Sequence, residues 1–298
     1  MAGVWILPSP KFAEIARWLL DLWDRTAVVA SDRRGGLGID PLGVAARYGT
    51  TPEFSSDLAL LAAATTDAPG VRAITVDSTP YAEAGATEAW ELAYSLATGV
   101  AYLRDLTEAG IGLDTALDSL TFTYSADTDQ FTTISKLRAA RRLWDQIATA
   151  CGAEPTQRAQ AQHVLTSAAV LSRRDPWVNL LRNTVAVFSA GIGGAQAVTV
   201  RPFDSAVGRP DEFGRRTARA TQLLLTEESN LGRVADAAGG SWYVEELTEL
   251  LSEAAWDRFR TVESSGGMAA VLRNGSAAAE VDTAWAAREA RILGGDQP

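Results

Sequence analysis

The residues that could do acid–base chemistry are few, and three of them stand where a strand is predicted to end. Asp77 follows one short apolar run, and Asp127 and Asp129 follow the next. In a parallel α/β barrel the carboxyl ends of the strands carry the active site, so these carboxylates are candidate acids or bases. Each is more typical of a helix cap or a loop than of a catalytic group, and the spacing leaves their separation open.

His163 is the only histidine, and it precedes Thr166 and Ser167 in a predicted strand. It fits either a hydrogen-bonding site residue or a structural histidine whose ring nitrogens are satisfied. Because Cys151 is also the only cysteine, the chain cannot build the His and Cys clusters that typically hold zinc or non-haem iron. We therefore predict no metal site. The sequence also lacks a nucleophile elbow.

A cationic run and a glycine-rich segment offer two further interpretations. The run consists of Lys136, Arg138, Arg141 and Arg142 on a predicted helix. It could bind an acyl-CoA phosphate, but cations on a helix with an apolar face usually form its solvated side. The glycines within residues 191–194 have neither the dinucleotide nor the P-loop spacing. They predict a tight turn between a helix and a strand.

The elements that position these residues alternate between short apolar runs and longer amphipathic stretches. Six runs predict strands: Val4–Leu7, Leu37–Ile39, Ala73–Val76, Leu120–Tyr124, His163–Ala168 and Ala197–Val200. Apolar residues three to four apart predict helices over residues 91–103, 131–147 and 244–255. Strands separated by such helices form a parallel sheet with right-handed connections. The fold class is α/β, and the pattern fits a doubly wound sheet or part of an eightfold barrel.

Composition narrows the class of protein. A chain of 298 residues, 47% hydrophobic and 21% charged, predicts one globular domain of barrel size. The formal net charge of −10 argues against nucleic-acid binding but allows an acyl-CoA held by a local arginine cluster. The sequence has neither a signal peptide nor an apolar run approaching the roughly 18 residues of a membrane span. We expect a soluble, cytoplasmic protein.

Five stretches resemble, in family order, the methylmalonyl-CoA mutase family, and specifically its small, non-catalytic subunit. They are Thr75–Ala86, Asp129–Trp144, Asp175–Arg182, Arg216–Gln222 and Ala238–Glu245, with Gly266–Met268 after the last. The resemblance implies a (β/α)8 barrel of the TIM type, split to admit an acyl-CoA along its axis. Here it implies an incomplete barrel of about six β/α units over residues 1–272. A helical tail or linker over 273–298 follows, with no cobalamin-binding domain and without the family's first two strands.

Departures from the family's pattern imply that this chain lacks the active subunit's site groups. Pro80 stands where the active subunit has a histidine, Leu165 where it has an amide, and Ser205 where it has an acid. Proline has neither a titratable group nor a backbone donor. The cobalamin signature Asp-x-His-x-x-Gly is also absent, because residues 161–166 begin with alanine and end with threonine. We expect adenosylcobalamin only in a partner subunit.

Three functional hypotheses remain open. The resemblance implies a non-catalytic component that packs against a cobalamin-binding large subunit, or against itself, in an acyl-CoA isomerase. The second hypothesis is a stand-alone, cobalamin-independent enzyme acting on an acyl-CoA or related thioester. Its pocket would be lined by Asp77, Tyr81, Tyr124, His163 and Asp204, with Asp77 or His163 as base. The third is a degenerate fragment.

Substrate contacts can be assigned only by family position. Arg138, Arg141 and Arg182 are the candidates for binding CoA, and Thr166 and Ser167 are the candidates for binding substrate. Six strands out of eight would leave two parallel edges open. We expect a partner, self-association or further N-terminal structure to cover them.

Overall fold

The computed structural model describes residues 3–52, 62 and 65–295. Its centre is a six-stranded parallel sheet in which the strands lie side by side in chain order. The strands are β1 (Val4–Trp5), β2 (Gly35–Ile39), β3 (Val71–Asp77), β4 (Leu120–Ala126), β5 (Gln162–Thr166) and β6 (Ala197–Thr199). All six predicted strands are present, although β1 is shorter than its apolar run.

Eleven α-helices lie in the described parts of the chain. They are α1 (Phe12–Arg25), α2 (Pro41–Tyr48), α3 (Thr79–Glu83), α4 (Glu88–Glu108), α5 (Leu113–Ser119), α6 (Gln130–Ala150), α7 (Val178–Ile192), α8 (Glu212–Leu223), α9 (Trp242–Ser264), α10 (Met268–Arg273) and α11 (Ser276–Gly294). The helices predicted from periodicity are α4, α6 and α9. The predicted glycine turn joins α7 to β6, with Gly194 at φ +85°. Among the described helices, none combines the length and apolar character needed to span a membrane.

The two faces of the sheet have different residues. Phe122 of β4 packs its ring 4.5 Å from that of Trp144 on α6, so this side of β4 faces the helices. Side chains alternate along a strand, and paired residues of parallel strands share a face. The opposite, concave face therefore carries mostly small or polar side chains. They are Thr75, Asp77, Thr121, Thr123, Ser125, His163, Leu165, Ala197 and Thr199.

Trp5 shows that the sheet is strongly curled. Its ring centroid lies 5.4 Å from that of His163, although β1 and β5 are four strands apart in the sheet. Among the described residues, no strand pairing joins β6 to β1. The fold is thus an α/β half-barrel with a helical C-terminal region, which confirms the incomplete barrel that the family resemblance implied. The last helix belongs to the same packing, because Ala277 and Val281 join the core of the half-barrel.

Gly99, in the middle of α4, gives a test of the packing between the helices and the sheet. A Cβ atom there would lie 2.8 Å from Trp144 Cζ3 and 3.0 Å from Phe122. Gly-to-Ala changes inside a helix usually stabilise it by about 1 kcal/mol. We expect Gly99→Ala instead to lower the free energy of unfolding by about 1–3 kcal/mol, because the core is overpacked.

Urea denaturation measures this change, and Gly208→Ala is the control. Gly208 lies in the loop after β6, and a Cβ atom there would have no heavy atom within 4 Å. The control should alter stability by less than about 0.5 kcal/mol. If Gly99→Ala proved as stable as the parent, the close packing of α4 on β4 and α6 would be refuted.

Candidate functional site

Two carboxylates meet at the carboxyl ends of β2 and β3. Asp40 caps α2, and its Oδ1 accepts a hydrogen bond of 2.8 Å from the backbone N–H of Gly43. Its Oδ2 accepts one of 2.9 Å from the backbone N–H of Asp77, and the hydroxyl of Tyr102 donates to Oδ1. An aspartate directly before Pro41 is a strong helix start, so the local sequence explains the cap.

Asp40 is fully buried, and this changes its proton affinity. Burial, and secondly the charge of Asp77, raise the pKa of Asp40 to about 7. The hydrogen bonds from Tyr102 and from two backbone N–H groups favour the charged form and limit the rise. Asp40 is therefore a carboxyl group that titrates near neutral pH inside the half-barrel.

Asp77 binds both the next helix and a cation. Its Oδ1 accepts from the N–H of Thr79 at 3.0 Å and from the Thr79 hydroxyl at 2.7 Å. Its Oδ2 lies 3.2 Å from Arg47. Asp77, the last residue of β3, thus holds the start of α3 through its side chain. Asp129 likewise caps α6, accepting from the N–H of Thr132 at 3.1 Å.

Glu83, at the end of α3, joins opposite sides of the sheet. Its Oε2 lies 3.0 Å from Arg47, and its Oε1 pairs with Arg201, just after β6. Arg201 is fixed in turn by Thr166, because its Nε donates to the Thr166 carbonyl at 2.9 Å. Its backbone N–H donates to the Thr166 hydroxyl at 2.8 Å. The helices α2 and α3, the end of β5 and the loop after β6 are therefore connected, and they surround what we call the mouth of the half-barrel.

The structure brings only some predicted site residues to this mouth. Asp77 and Thr166 belong to the network, and Ser167 follows Thr166, with its hydroxyl accepting from a backbone N–H at 3.2 Å. His163 lies near the amino end of β5, buried on the concave face with Nε2 2.8 Å from the Thr199 hydroxyl. Burial lowers the pKa of His163 to about 4, so its ring is neutral at physiological pH.

The two predicted tyrosines point away from the concave face or pack against helices. The Tyr124 hydroxyl accepts from Ser95 and from Gln160, each at 3.0 Å, and Ser95 belongs to α4. Tyr81 packs its ring 4.8 Å from that of Tyr94, also on α4. Burial raises the pKa of Tyr81 well above its usual value. The Tyr81 hydroxyl is buried without a hydrogen-bond partner among the described residues, and the charges of Asp40 and Asp77 add to the rise of its pKa.

Neither Asp204 nor the three positions at which this sequence departs from the family's pattern contribute an acid or a base to the mouth. Asp204 lies in the loop after β6, and its Oδ2 accepts from the Asp211 N–H at 3.0 Å. Pro80 is buried in the first turn of α3, and Leu165 lies on the concave face. The hydroxyl of Ser205 donates to the carbonyl of Pro202, one turn back, at 2.6 Å.

The interpretation of the cationic run as a solvated helix face is wrong for Lys136, which is buried. Its Nζ is buried 2.5 Å from Oε2 of Glu91, whose other oxygen accepts from the Ser125 N–H at 2.9 Å. The helix therefore turns this cation inward because α4 supplies a buried carboxylate. Arg138 and Arg142 meet carboxylates near or on α9, which covers this side of α6.

The three arginines predicted to bind CoA already have partners within the chain. Arg138 pairs with Asp236 and, at 2.7 Å, with Glu245. The guanidinium of Arg141 donates to the side chain of Gln162 at 2.6 Å, and that of Arg182 to Asn179 at 2.9 Å. Burial lowers the pKa of Arg141. These contacts do not test whether the three arginines bind CoA, so that assignment stays a prediction.

In the described ranges, no group of three or more His, Cys, Asp and Glu side chains could hold a metal ion. His163 does not fit the role of a cobalt ligand, because its ring is buried between Trp5 and Thr199. The chemistry available at the mouth is therefore ion pairing, hydrogen bonding and proton binding by Asp40.

Sequence reasoning missed Asp40, Arg47, Glu83 and Arg201. The Asp-Pro start of α2 was the available signal for Asp40. The ion pairs of Glu83 had no local signal, because its partners lie 36 and 118 residues away along the chain.

Comparisons with known proteins agree on one family. The family model described as methylmalonyl-CoA mutase matches residues 25–298. A methylmalonyl-CoA mutase small subunit from Streptomyces virginiae is 50% identical over 287 residues, which are 96% of this chain and 46% of that protein. The small subunit from Propionibacterium freudenreichii subsp. shermanii is 40% identical over 284 residues, 95% of this chain and 44% of that protein. The large subunit from Porphyromonas gingivalis is 36% identical over 225 residues, 75% of this chain and 32% of that protein. The chain thus spans about half the length of the small subunits it matches.

Proposed function

Because the chain belongs to the methylmalonyl-CoA mutase family, we propose that it is a non-catalytic, small-subunit-type component of a mutase-type acyl-CoA isomerase. It acts in the cytoplasm by packing against a large subunit that binds adenosylcobalamin and carries the reaction. Its similarity to proteins named small subunit supports this role. The main support for the proposal is that the charged side chains at the mouth form ion pairs with one another, whereas a catalytic subunit needs polar groups that are free to contact the substrate.

The mouth supports a structural role because its charged groups are already engaged. Arg47 binds Asp77 and Glu83, and Arg201 binds Glu83 and Thr166. Pro80, at the family's histidine position, is buried and has no proton to exchange. Such an arrangement fixes loops with respect to one another and offers no general acid or base at Pro80.

A partner surface is suggested by exposed apolar side chains around β1 and α1. Trp18 and Leu22 of α1, and Leu7 in the segment that joins β1 to α1, are all exposed. Trp18 is 73% exposed and helps line an apolar groove that also includes Ile6. Edge strands and contiguous apolar surface of this kind are usually covered in a stable assembly.

The first experiment is light scattering of this protein, alone and mixed with the large mutase subunit encoded nearest to it. We expect a stable one-to-one complex. Trp18→Glu should weaken that complex at least about tenfold, because a charge would be placed in an apolar interface. Trp242→Glu is the matched control, since Trp242 is 89% exposed but lies at the start of α9. A chain that stays monomeric or forms only homo-oligomers in the mixture refutes the proposal.

The alternative is a cobalamin-independent enzyme acting on an acyl-CoA or related thioester. It is favoured by the position of Asp77, Thr166 and Ser167 at the carboxyl ends of β3 and β5, because barrel enzymes bind substrates at the carboxyl ends of their strands. Thioester binding measured by calorimetry, with turnover compared between the parent and Asp77→Asn/His163→Gln, tests it. Absence of binding, together with no change of turnover in the double variant, removes this hypothesis.

A further inference from the structure

We propose that Arg47 and Arg201 form a binding site for a small oxyanion at the mouth of the half-barrel, and that Glu83 occupies this site as an internal carboxylate. Glu83 lies in the matched stretch Thr75–Ala86, whereas Arg47 and Arg201 lie outside the matched stretches. The proposal goes beyond the role as a subunit. Its ligand class is a carboxylate or a phosphate group.

The geometry resembles a ligand bound between two guanidinium groups. Each oxygen of Glu83 meets a different arginine: Oε2 lies 3.0 Å from Arg47, and Oε1 pairs with Arg201. Arginine's planar fork is suited to carboxylate and phosphate oxygens, and such charge-assisted hydrogen bonds are strong. A free oxyanion could bridge the two arginines in the same way.

The two arginines are held in place by groups other than Glu83. Arg47 also contacts Asp77 at 3.2 Å and donates to the Thr79 hydroxyl at 2.7 Å. Arg201 is anchored through its Nε to the Thr166 carbonyl. Removal of the Glu83 carboxylate therefore leaves both guanidinium groups oriented toward the vacated position.

The local charge favours replacement of one anion by another. Arg47 and Arg201 carry two positive charges, and Asp77 and Glu83 carry two negative charges, so the intact cluster is neutral. Without Glu83 the cluster has one excess positive charge. The Arg47, Glu83 and Arg201 side chains are only 30%, 20% and 28% exposed, so this charge is partly desolvated and yet reachable by a small ion.

The test is chemical rescue of Glu83→Ala. The substitution removes two carbon atoms and the carboxylate oxygens, which correspond in shape to an acetate ion. We expect acetate, and in a parallel series inorganic phosphate, to raise the melting temperature of Glu83→Ala relative to sodium chloride at equal ionic strength. The apparent affinity should be at least about tenfold higher than for the parent protein. Whichever ion binds more tightly identifies the site as selective for carboxylate or for phosphate.

Two control variants distinguish specific binding at this site from a general effect of anions on stability. Glu249→Ala frees Arg142 on the outer surface, where the pair is about half exposed, and it should gain no dependence on acetate or phosphate. Glu83→Ala/Arg201→Gln should lose the rescue, because only one guanidinium remains. Equal responses of Glu83→Ala and Glu249→Ala overturn the proposal. If Glu83→Ala requires the ion to fold, refolding in acetate or phosphate but not in chloride supports it, and failure in all three overturns it.

Discussion

Replacement of Lys136 by methionine should lower the free energy of unfolding by about 3–5 kcal/mol, because it leaves the charge of Glu91 buried without a counter-charge. The two side chains are 5% and 1% exposed, and their charged atoms lie 2.5 Å apart. Burial raises the pKa of Glu91, and Lys136 opposes that rise. The loss should therefore be smaller in mild acid, where Glu91 in the variant can bind a proton.

The double variant Lys136→Met/Glu91→Gln identifies the charge as the cause. A glutamine oxygen can still accept from the Ser125 N–H and from the Ser78 hydroxyl, the two donors that reach Oε1 of Glu91. We expect the double variant to recover at least about 2 kcal/mol relative to Lys136→Met in urea denaturation. Equal stability of the single and double variants would show that lost packing, and not the unpaired charge, sets the cost.

The strands of the half-barrel could be predicted because each lies between two stretches with helical periodicity. In β4 the large apolar residues alternate with threonine and serine, from Leu120 to Ser125. That alternation predicts two different faces, and it places Phe122 and Tyr124 on the same one. Only the structure shows that this face packs against the helices, so that Tyr124 lies on the side opposite to the concave face.

Charge pairing was not predictable from the sequence, because it depends on which helices become neighbours. Lys136 has the spacing of a solvated cation on α6, and only the packing of α4 supplies Glu91, 45 residues earlier. Glu83 pairs with Arg201 because the sheet curls enough to bring the loops after β3 and β6 together. Long-range contacts of this kind leave no local pattern, so the mouth network emerges only from the fold.

Two buried groups give the protein opposite dependences of stability on pH. The pKa of Asp40 is raised to about 7 in the fold, from 3.8 in an unfolded chain. Between these values the folded state binds the extra proton, so stability falls as pH rises. The pKa of His163 is lowered to about 4 from 6.5, so the unfolded state binds the extra proton and stability rises over that interval.

Over the shared range, about pH 4.5 to 6.5, the two slopes have similar size and opposite sign. Each amounts to about 1.4 kcal/mol per pH unit when a full proton is exchanged. The contributions of Asp40 and His163 therefore nearly cancel in the parent protein. A substitution at either position should expose the slope that the other residue produces.

We therefore expect His163→Gln to lose stability with rising pH, relative to the parent, by about 1.4 kcal/mol per unit over this range. Asp40→Asn should gain stability by a similar slope, although its absolute stability is lower because an amide N–H2 would face a backbone N–H donor. Urea denaturation at a series of pH values measures both slopes, with Asp257→Asn on the exposed face of α9 as the control. Parallel profiles for all four proteins would mean that neither buried group changes its proton affinity on folding. Opposite slopes would establish that the contributions of Asp40 and His163 to the pH dependence of stability offset each other in the parent protein.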